Sequence, residues 1–422
     1  MARLVFAHSL LALLASAAAA AVAAPALPPL PALSIAGPLT VSGISSGADF
    51  ASAFHVAFSA SVSASAAFAG QAVSCATTLF AGEAPVASCA AQSPDALGAG
   101  CVGLATTGAA PCVGCGAGQT LQYDHCKKSP NATAQPELLA ALVRQAAELG
   151  FVDDAAGLAD GFHKAFAYRG TKDTVYLPGS VNTTIDTFVA LGVLPRDTHF
   201  EAGVPSQHAM PSTDPAVPPS SCGVGDPSLP GLENCGYDGA GEMFKFFFAD
   251  LVQPAAGAQS IPANLYAFNQ TLYEVGPFAG LASTGFIYVP ARCARGANPC
   301  VLHAAFHGCG QYALLPSVNR SYALHGGYAQ WAESNDFVVL FAQMGGFVER
   351  NITAPARQLQ AGCWDGYGQT GPAYAWKGGP QMASVAKMLR AIGGEAWWRR
   401  NTAAASAGNA SEPGHRPRWR AA

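Results

Sequence analysis

Ser45 is the first candidate for chemistry in this chain, because it is the middle residue of Gly-Ile-Ser-Ser-Gly at positions 43–47. The residues at 39–42 alternate as the end of a β-strand does, and apolar residues recur near helical spacing over 48–60. A serine on a sharp strand-to-helix turn projects its Oγ above the sheet, and flanking glycines let the two elements pass closely. The spacing predicts a nucleophile elbow, with Ser45 as the nucleophile and the N–H of Ser46 as an oxyanion donor. The alternative is an ordinary Ser/Gly turn that caps the helix.

A serine nucleophile needs a base within hydrogen-bond reach and a carboxylate that orients the base. Asp173 follows a predicted strand in the loop 169–174, so we expect it at the carboxyl edge of the sheet, where the elbow also opens. His208 lies in the loop 207–212, which a proline makes rigid. The chain order Ser, Asp, His is that of α/β-hydrolases and favours this pair. Taken alone, Asp173 also fits a turn aspartate, and His208 competes with nine other histidines.

A second glycine-rich turn, Phe-His-Gly-Cys-Gly-Gln at 306–311, ends another predicted strand. Such a backbone can offer N–H groups to the negative charge that develops on an oxygen during acyl transfer. Ordinary α/β-hydrolases carry their His-Gly oxyanion strand before the nucleophile, whereas this turn comes far after Ser45. The order of segments therefore differs from that of an ordinary α/β-hydrolase.

Taken together, these motifs and three more resemble those of the secreted poly(3-hydroxybutyrate) depolymerases, especially the single-domain fungal kind. The matching segments are 42–47, 170–174, 208–211, 234–238, 302–309, 362–365 (Gly-Cys-Trp-Asp) and 379–382 (Gly-Pro-Gln-Met). They follow the family's order and span nearly all of the chain after the first 24 residues. The resemblance implies a circularly permuted α/β-hydrolase fold, with a mostly parallel central sheet, helices on both faces and a Cys-rich insertion.

The resemblance also implies roles for individual residues. Ser45 would be the nucleophile, His208 its base and Asp173 the orienting carboxylate. The backbone N–H groups of Ser46 and Cys309 would form the oxyanion hole.

Further implications concern the loop after Gly362. A disulfide between Cys309 and Cys363 would tie the oxyanion loop to this segment, and Trp364 and Tyr367 would contact the substrate. In the family, a polymer-gripping aromatic follows the Cys-Trp-Asp element directly, whereas this chain has Gly366 there and Tyr367 one step later. We therefore expect soluble short-chain esters and oligomers to be cleaved faster than solid polymer, and Gly366→Trp to raise polymer affinity.

The first residues indicate a secreted protein. Arg3 precedes an apolar run over 4–22 and small residues near 20–24, which is typical of a signal peptide at 1–24. A membrane anchor is the weaker alternative, because the run is Ala-rich and prolines follow it. No other apolar run is long enough to cross a membrane.

The chain also contains Asn-x-Ser/Thr sequons, which fit a glycosylated, secreted or vacuolar protein if the host is a eukaryote. They begin at Asn131, Asn182, Asn269, Asn319, Asn351 and Asn409.

Twelve cysteines in a secreted chain favour disulfides over metal clusters. The pairs Cys222/Cys235 and Cys293/Cys300 bracket short loops and suit local bridges. Six more cysteines crowd the segment 75–126, and the sequence does not choose their connectivity. Within it, Cys112-Val-Gly-Cys115 could be a zinc or redox pair, but no second matching pair is present.

We expect residues 25–394 to form one catalytic domain with a Cys-rich insertion at 75–126, followed by a polar, solvated tail at 395–422. Apolar strands alternate with helical segments, which favours a parallel sheet covered on both faces. The strands are predicted at 39–42, 64–68, 165–168, 198–202, 285–289, 300–306 and 337–341. The helices are predicted at 48–60, 136–149, 180–191, 239–251 and 380–392.

The charge balance excludes one class of partner. With 22 Lys and Arg against 26 Asp and Glu, the net charge of −4 gives no basic surface for nucleic acid. No motif calls for a metal or another cofactor.

The motifs and the family resemblance together predict a secreted serine esterase acting on poly(3-hydroxybutyrate) or related hydroxyalkanoate polyesters and oligomers. The alternatives are a carboxylesterase acting on cell-wall acetyl or feruloyl esters and a catalytically silent secreted binding protein.

Overall fold

The computed structural model describes residues 26–75, 127, 136–276, 279–296, 299–371 and 373–399. The predicted signal peptide at 1–24, the pair Cys112 and Cys115, and nearly all of the predicted insertion at 75–126 lie outside this part of the chain. The sequons at Asn131 and Asn409 also lie outside it.

The described residues form the following elements. The strands are β1 (Leu39–Ile44), β2 (Val62–Phe68), β3 (Lys164–Tyr168), β4 (Thr198–Glu201), β5 (Met210–Pro211), β6 (Leu232–Glu233), β7 (Leu265–Asn269), β8 (Thr284–Tyr288), β9 (Val301–Phe306) and β10 (Phe337–Phe341). The α-helices are α1 (Ser46–Ala57), α2 (Pro136–Glu148), α3 (Pro178–Ala190), α4 (Gly239–Phe247), α5 (Ala291–Ala294), α6 (Ser321–His325), α7 (Tyr328–Asn335), α8 (Gly346–Glu349), α9 (Arg357–Gln360) and α10 (Pro380–Gly393). Short 3-10 helices occupy Ala155–Ala159, Pro195–Asp197, Pro219–Ser221, Pro262–Asn264 and Gln270–Tyr273.

Eight strands form one sheet in the order β4-β3-β2-β1-β9-β10-β8-β7. The six strands from β4 to β10 in this order pair in parallel, and β8 is antiparallel to both of its neighbours. β1 carries the predicted nucleophile turn and is first in the chain, although it lies in the middle of the sheet. The strands on its other side, β7 to β10, come last in the chain. This is the circularly permuted α/β-hydrolase fold that the resemblance predicted.

Helices cover both faces of the sheet, because successive strand residues point to opposite sides. In β10, Val338 and Leu340 join one core cluster with residues of α1, α2, α3 and α10. Phe337, Val339 and Phe341 join a second cluster with residues of α4 and α7. The apolar run 337–341 therefore reads as a continuous hydrophobic segment, as expected of a strand buried on both faces.

The structure differs from the predicted elements in several places. The strands β5, β6 and β7 and the helices α5 to α9 were not predicted, and α4 ends at Phe247 rather than at residue 251. The predicted solvated tail begins too early, since Trp397 and Trp398 are both buried. The indole N–H of Trp397 donates to the Gly37 carbonyl at 2.8 Å. The domain therefore includes these two residues.

Among the described residues, no helix is both long enough and apolar enough to span a membrane.

Candidate active site

Ser45 occupies a strained turn between β1 and α1. Its backbone has φ 57° and ψ −126°, a positive-φ conformation that non-glycine residues rarely adopt. The flanking glycines are required, since a β-carbon at Gly47 would lie 2.2 Å from the Phe306 carbonyl oxygen. One at Gly43 would lie 2.2 Å from the carbonyl oxygen of Gly47. Ser45 makes no side-chain capping hydrogen bond. The geometry is that of the predicted elbow and does not support the helix-capping alternative.

The two predicted oxyanion donors lie at the ends of neighbouring strands. Ser46 is the first residue of α1, so no carbonyl of that helix accepts its N–H. β9 ends beside the elbow, and a β-carbon at Gly308 would lie 3.1 Å from that of Ser45. Cys309 follows Gly308 in the turn after β9. In the described part of the chain, neither the N–H of Ser46 nor that of Cys309 donates to a protein acceptor. Both groups are therefore available to an oxygen bound at the elbow.

The turn after β9 is fixed by two side chains whose roles the sequence did not reveal. The Met344 N–H donates to Nε2 of His307 at 3.1 Å, so Nδ1 carries the proton and donates to the Gly308 carbonyl at 2.7 Å. Burial lowers the pKa of His307 to about 4, so the ring is neutral at physiological pH. Gln311 accepts the Gly308 N–H at 2.7 Å. Because the peptide is trans, holding the Gly308 carbonyl on one side directs the Cys309 N–H to the other.

A disulfide joins the oxyanion turn to a second loop. Cys309 and Cys363 are bonded, with their Cα atoms 4.1 Å apart. The Trp364 N–H donates to Oγ of Ser46 at 3.2 Å, which brings the same loop to the start of α1. The bridge that the resemblance implied is therefore present.

His208 and Asp173 form a hydrogen-bonded pair. Nδ1 of His208 lies 2.9 Å from Oδ2 of Asp173, and the carboxylate is fully buried while the imidazole side chain is 21% exposed. The other oxygen, Oδ1, accepts the N–H groups of Val175 at 2.7 Å and Tyr176 at 3.0 Å. Burial alone would raise the pKa of Asp173, but its hydrogen bonds, first that from His208, hold the pKa below its usual value. The aspartate therefore stays charged and accepts the Nδ1–H of His208, so in the neutral ring the lone pair for a proton transfer lies on Nε2.

Ser45 and His208 are not hydrogen-bonded to each other in the described structure. Their loops are nevertheless linked at Gly231, whose carbonyl accepts the N–H of Met210 at 2.9 Å and Nε2 of Gln311 at 3.3 Å. This shared acceptor connects the His208 loop to the oxyanion turn. Catalytic hydrogen bonds are often long in unliganded enzymes and tighten when the substrate binds.

Two further residues connect the parts of the site. The ring of Tyr176 lies parallel to the His208 imidazole, with centroids 5.5 Å apart and an interplanar angle of 9°. Its hydroxyl donates to Oδ2 of Asp49 at 2.8 Å, and Asp49 lies on α1 four residues after Ser45. The only sequence signal for either residue is its closeness to Asp173 or Ser45 along the chain. Sequence reasoning missed both.

The two predicted substrate contacts, Trp364 and Tyr367, are both buried in the described structure. Trp364 is fully buried between Phe50 and Phe306, with ring centroids 4.5 and 5.1 Å away. Tyr367 is 2% exposed. Gly366 is also buried, and a β-carbon there would lie 2.8 Å from the Asp49 Cβ. This loop packs into the core, because its aromatic rings fill the space beside α1.

The remaining cysteine predictions are confirmed where the structure describes them. Disulfides join Cys222 to Cys235 and Cys293 to Cys300. No described cysteine is free. Within the described ranges, no group of three or more His, Cys, Asp or Glu side chains could hold a metal ion.

The sheet order, the strained serine turn and the buried His–Asp pair define the class as an α/β-hydrolase in permuted order. No family model matches the chain. Among curated proteins, the chain is 30% identical over 266 residues to the poly(3-hydroxybutyrate) depolymerase of Delftia acidovorans, covering 63% of this chain and 49% of that protein. It is 28% identical over 240 residues to the polyhydroxybutyrate depolymerase of Talaromyces funiculosus, covering 55% of this chain and 66% of that protein.

Solved structures give the same relationship. The PHB depolymerase from Penicillium funiculosum matches with a TM-score of 0.65 at 23% identity, covering 86% of this chain and 98% of that chain. A serine-to-alanine PHB depolymerase complexed with an R3HB trimer gives the same values. The chain is thus similar in sequence and in fold to poly(3-hydroxybutyrate) depolymerases, and the resemblance predicted from its motifs is confirmed. Its matches span about half and two thirds of the length of the two curated relatives.

Proposed function

We propose that this chain is a secreted serine esterase that hydrolyses ester bonds of poly(3-hydroxybutyrate), or of related hydroxyalkanoate polyesters and oligomers. The observation that carries the proposal is the combination of Ser45 at φ 57° on an elbow with a buried Asp173 bonded to His208 at 2.9 Å. The similarity to depolymerases of Delftia acidovorans and Talaromyces funiculosus supports the polyester as substrate. No observation favours a cell-wall ester or a silent binding role.

In the proposed acylation step, the Ser45 Oγ attacks the ester carbonyl carbon while Nε2 of His208 takes the hydroxyl proton. Asp173 orients the imidazole and stabilises its positive charge. The carbonyl oxygen becomes an oxyanion that accepts hydrogen bonds from the N–H groups of Ser46 and Cys309. His208 then returns the proton to the leaving alkoxide, which departs as an alcohol and leaves an acyl ester on Ser45.

In the proposed deacylation step, a water molecule takes the place of the alcohol. His208 removes its proton as the water oxygen attacks the acyl carbon, and the same two N–H groups stabilise the second oxyanion. The proton passes to Ser45 Oγ, and the hydroxy acid product is released. No cofactor enters either step.

The substrate preference follows from the loop that contains Gly366. With Trp364 and Tyr367 both buried, neither ring of this loop is free to lie against neighbouring monomer units of a polymer. We therefore infer faster cleavage of soluble short-chain esters and hydroxybutyrate oligomers than of solid polymer. Secretion, with removal of residues 1–24, would place the enzyme outside the cell or in a vacuole, where such substrates are met.

The nucleophile is tested by comparing two neighbouring serines. Ser45→Ala is expected to abolish p-nitrophenyl butyrate hydrolysis and labelling by a serine-directed phosphonate. Ser46→Ala is the matched control, since it keeps its backbone N–H and is expected to retain substantial activity. Labelling that persists in Ser45→Ala would refute the assignment.

The base and the substrate need separate measurements. Asp173→Asn is expected to lower kcat by about 10⁴-fold with little change in the circular dichroism spectrum, because the imidazole then lacks its orienting carboxylate. Clearing of a polyhydroxybutyrate suspension, compared with the release of acid from soluble trimer, tests the substrate. An enzyme that cleaves p-nitrophenyl esters but neither trimer nor polymer would be an esterase of another specificity.

A further inference from the structure

Tyr176 touches both halves of the proposed catalytic machinery. Its backbone N–H donates to Asp173 at 3.0 Å, and its ring stacks on His208 at a centroid distance of 5.5 Å. Its hydroxyl reaches Asp49 on the elbow helix at 2.8 Å. The side chain is fully buried, so these contacts are shielded from water.

Asp49 is held as firmly as Tyr176. Its N–H donates to the Ser45 carbonyl at 3.1 Å, and its Oδ1 accepts the Gln71 N–H at 2.8 Å. Burial raises the pKa of Asp49 to about 6, against the lowering effect of Lys127 and the hydrogen bonds, so the carboxylate is charged at pH 7 and above. Burial, and next the Asp49 charge, raise the pKa of Tyr176 well above its usual value. The phenol therefore remains the donor and the carboxylate the acceptor.

We propose that the ring of Tyr176 stabilises the His208 imidazolium that forms during each proton transfer, and that Asp49 orients and polarises the ring for this task. The inference rests on the proposed esterase function. An aromatic face carries negative electrostatic potential, so it attracts a stacked cation more strongly than a neutral ring. Donation of the phenol proton towards a carboxylate increases the electron density of the ring and strengthens this attraction.

The attraction exists only while His208 is protonated. It therefore acts on the transition state and on the imidazolium, and leaves the binding of substrate unchanged. The same attraction opposes loss of the proton from the imidazolium, so we expect that loss to become easier when the ring or the Asp49 charge is removed. Tyr176 and Asp49 are positioning residues that act through His208 and do not contact the substrate.

Other charged and titratable groups surround the pair and are left in place by the test. Asp173 is hydrogen-bonded to His208, and Glu233 accepts the N–H of the adjoining Gln207 at 3.1 Å. The hydroxyl of Tyr367 lies 3.5 Å from that of Tyr176. The Nζ of Lys127 lies 4.7 Å from the centroid of the Tyr176 ring and 5.4 Å from that of the Tyr367 ring.

The test compares Tyr176→Leu, Tyr176→Phe and Asp49→Asn in the full chain. Tyr176→Leu removes the ring and is expected to lower kcat by about 3- to 30-fold, the range of a cation–π contact, with KM nearly unchanged. Tyr176→Phe keeps the ring, so its kcat is expected to fall less than that of Tyr176→Leu. In Tyr176→Leu and Asp49→Asn, the acid limb of the kcat/KM profile is expected to move to lower pH. Phe151→Leu is the matched control, because it removes another stacked aromatic, 4.3 Å from Trp376, and is expected to leave the profile unchanged.

A second readout does not depend on activity. The His208 imidazole is titrated by NMR in the wild type and in the three variants, and its midpoint is expected to fall in Tyr176→Leu and Asp49→Asn. If the wild type hydrolyses no ester, the proposed function fails while the NMR titration still decides the electrostatic contact. Should Tyr176→Leu not fold, Asp49→Asn and Tyr176→Phe are measured alone. An unchanged midpoint in the folded variants overturns the inference.

Discussion

Gly366 packs against Asp49 so closely that a β-carbon at residue 366 would lie 2.8 Å from both the Cβ and the Oδ2 of the aspartate. Gln71 bridges the same two residues, since its N–H donates to Asp49 and its Nε2 donates to the Gly366 carbonyl at 2.8 Å. The loop after Cys363 is therefore locked onto the elbow helix. This contact explains why position 366 cannot carry the aromatic that the resemblance led us to consider.

Gly366→Ala is expected to destabilise the protein by about 1–3 kcal/mol, because the new methyl group has no space beside Asp49. Gly366→Trp is expected to be worse and to give no gain in polymer affinity. Urea unfolding measures the first effect. Gly378→Ala is the control, since no atom lies within 4 Å of the β-carbon it would add. Equal stability of Gly366→Ala and the wild type would contradict the packing described here.

The Cys309–Cys363 bridge is expected to support activity as well as stability. Replacing both cysteines by alanine is expected to cost about 2–5 kcal/mol and to lower kcat by about tenfold or more, because the Cys309 N–H is then held less firmly. The paired control is removal of Cys293 and Cys300, which form a bridge between α5 and the start of β9. That change is expected to lower the Tm with little effect on kcat. Equal losses of kcat in the two double variants would contradict the special role of the first bridge.

Acid is expected to destabilise the fold through two buried histidines. Burial lowers the pKa of His303 to about 3 and that of His307 to about 4, whereas both titrate near 6.5 when the chain is unfolded. As the pH falls below 6.5, the unfolded state binds protons first. The stability that neutral burial provides is therefore complete above pH 6.5 and is lost as the pH falls from 6.5 to about 4 for His307 and to about 3 for His303. Burial of Asp49, whose pKa is raised to about 6, acts in the opposite sense and is the smaller effect.

The measurement is the Tm of the wild type and of His303→Gln between pH 4 and 8. His303 bonds to Oγ1 of Thr40 and Oγ of Ser42, both at 2.8 Å, so the variant is expected to be less stable at pH 7. Its Tm is expected to fall less steeply with acid, because one titrating group has been removed. Parallel Tm profiles for the two proteins would show that His303 does not carry this dependence.

Two of the described sequons are expected to be glycosylated in a eukaryotic secretory host. Asn319 and Asn351 are exposed on turns. Asn182 and Asn269 are half-buried, and their side chains bond to Asp186 at 2.6 Å and to the Thr271 N–H at 3.1 Å. Mass spectrometry after deglycosylation should find modified Asn319 and Asn351, and single Asn→Gln changes at these positions should each remove one glycan. Modification confined to Asn182 and Asn269 would contradict this assignment.

The features that depend on neighbours along the chain could be predicted from the amino-acid sequence. The turn at Ser45 needs glycine two residues before and after it, and that spacing is readable directly. Long apolar runs predicted the central strands, and cysteines across short loops predicted the bridges Cys222–Cys235 and Cys293–Cys300. The resemblance of the motifs to those of the depolymerase family implied the permuted fold and the Cys309–Cys363 bridge, and it supported the pair of His208 and Asp173 that the chain order favoured.

The contacts between side chains from distant parts of the chain could not be predicted in this way, because they depend on tertiary packing. Asp49 and Tyr176 are 127 positions apart, and their contact depends on how α1 packs against the loop after β3. The burial of Trp364 and of Trp397 was equally hidden, because an indole next to polar residues in the sequence can face water or the core. Periodicity reports one element's own exposed and buried faces. It carries no information on which distant element fills the space beside that face. The packing of distant elements placed Tyr176 beside His208, brought Asp49 to the Tyr176 hydroxyl and buried Trp364 in the core.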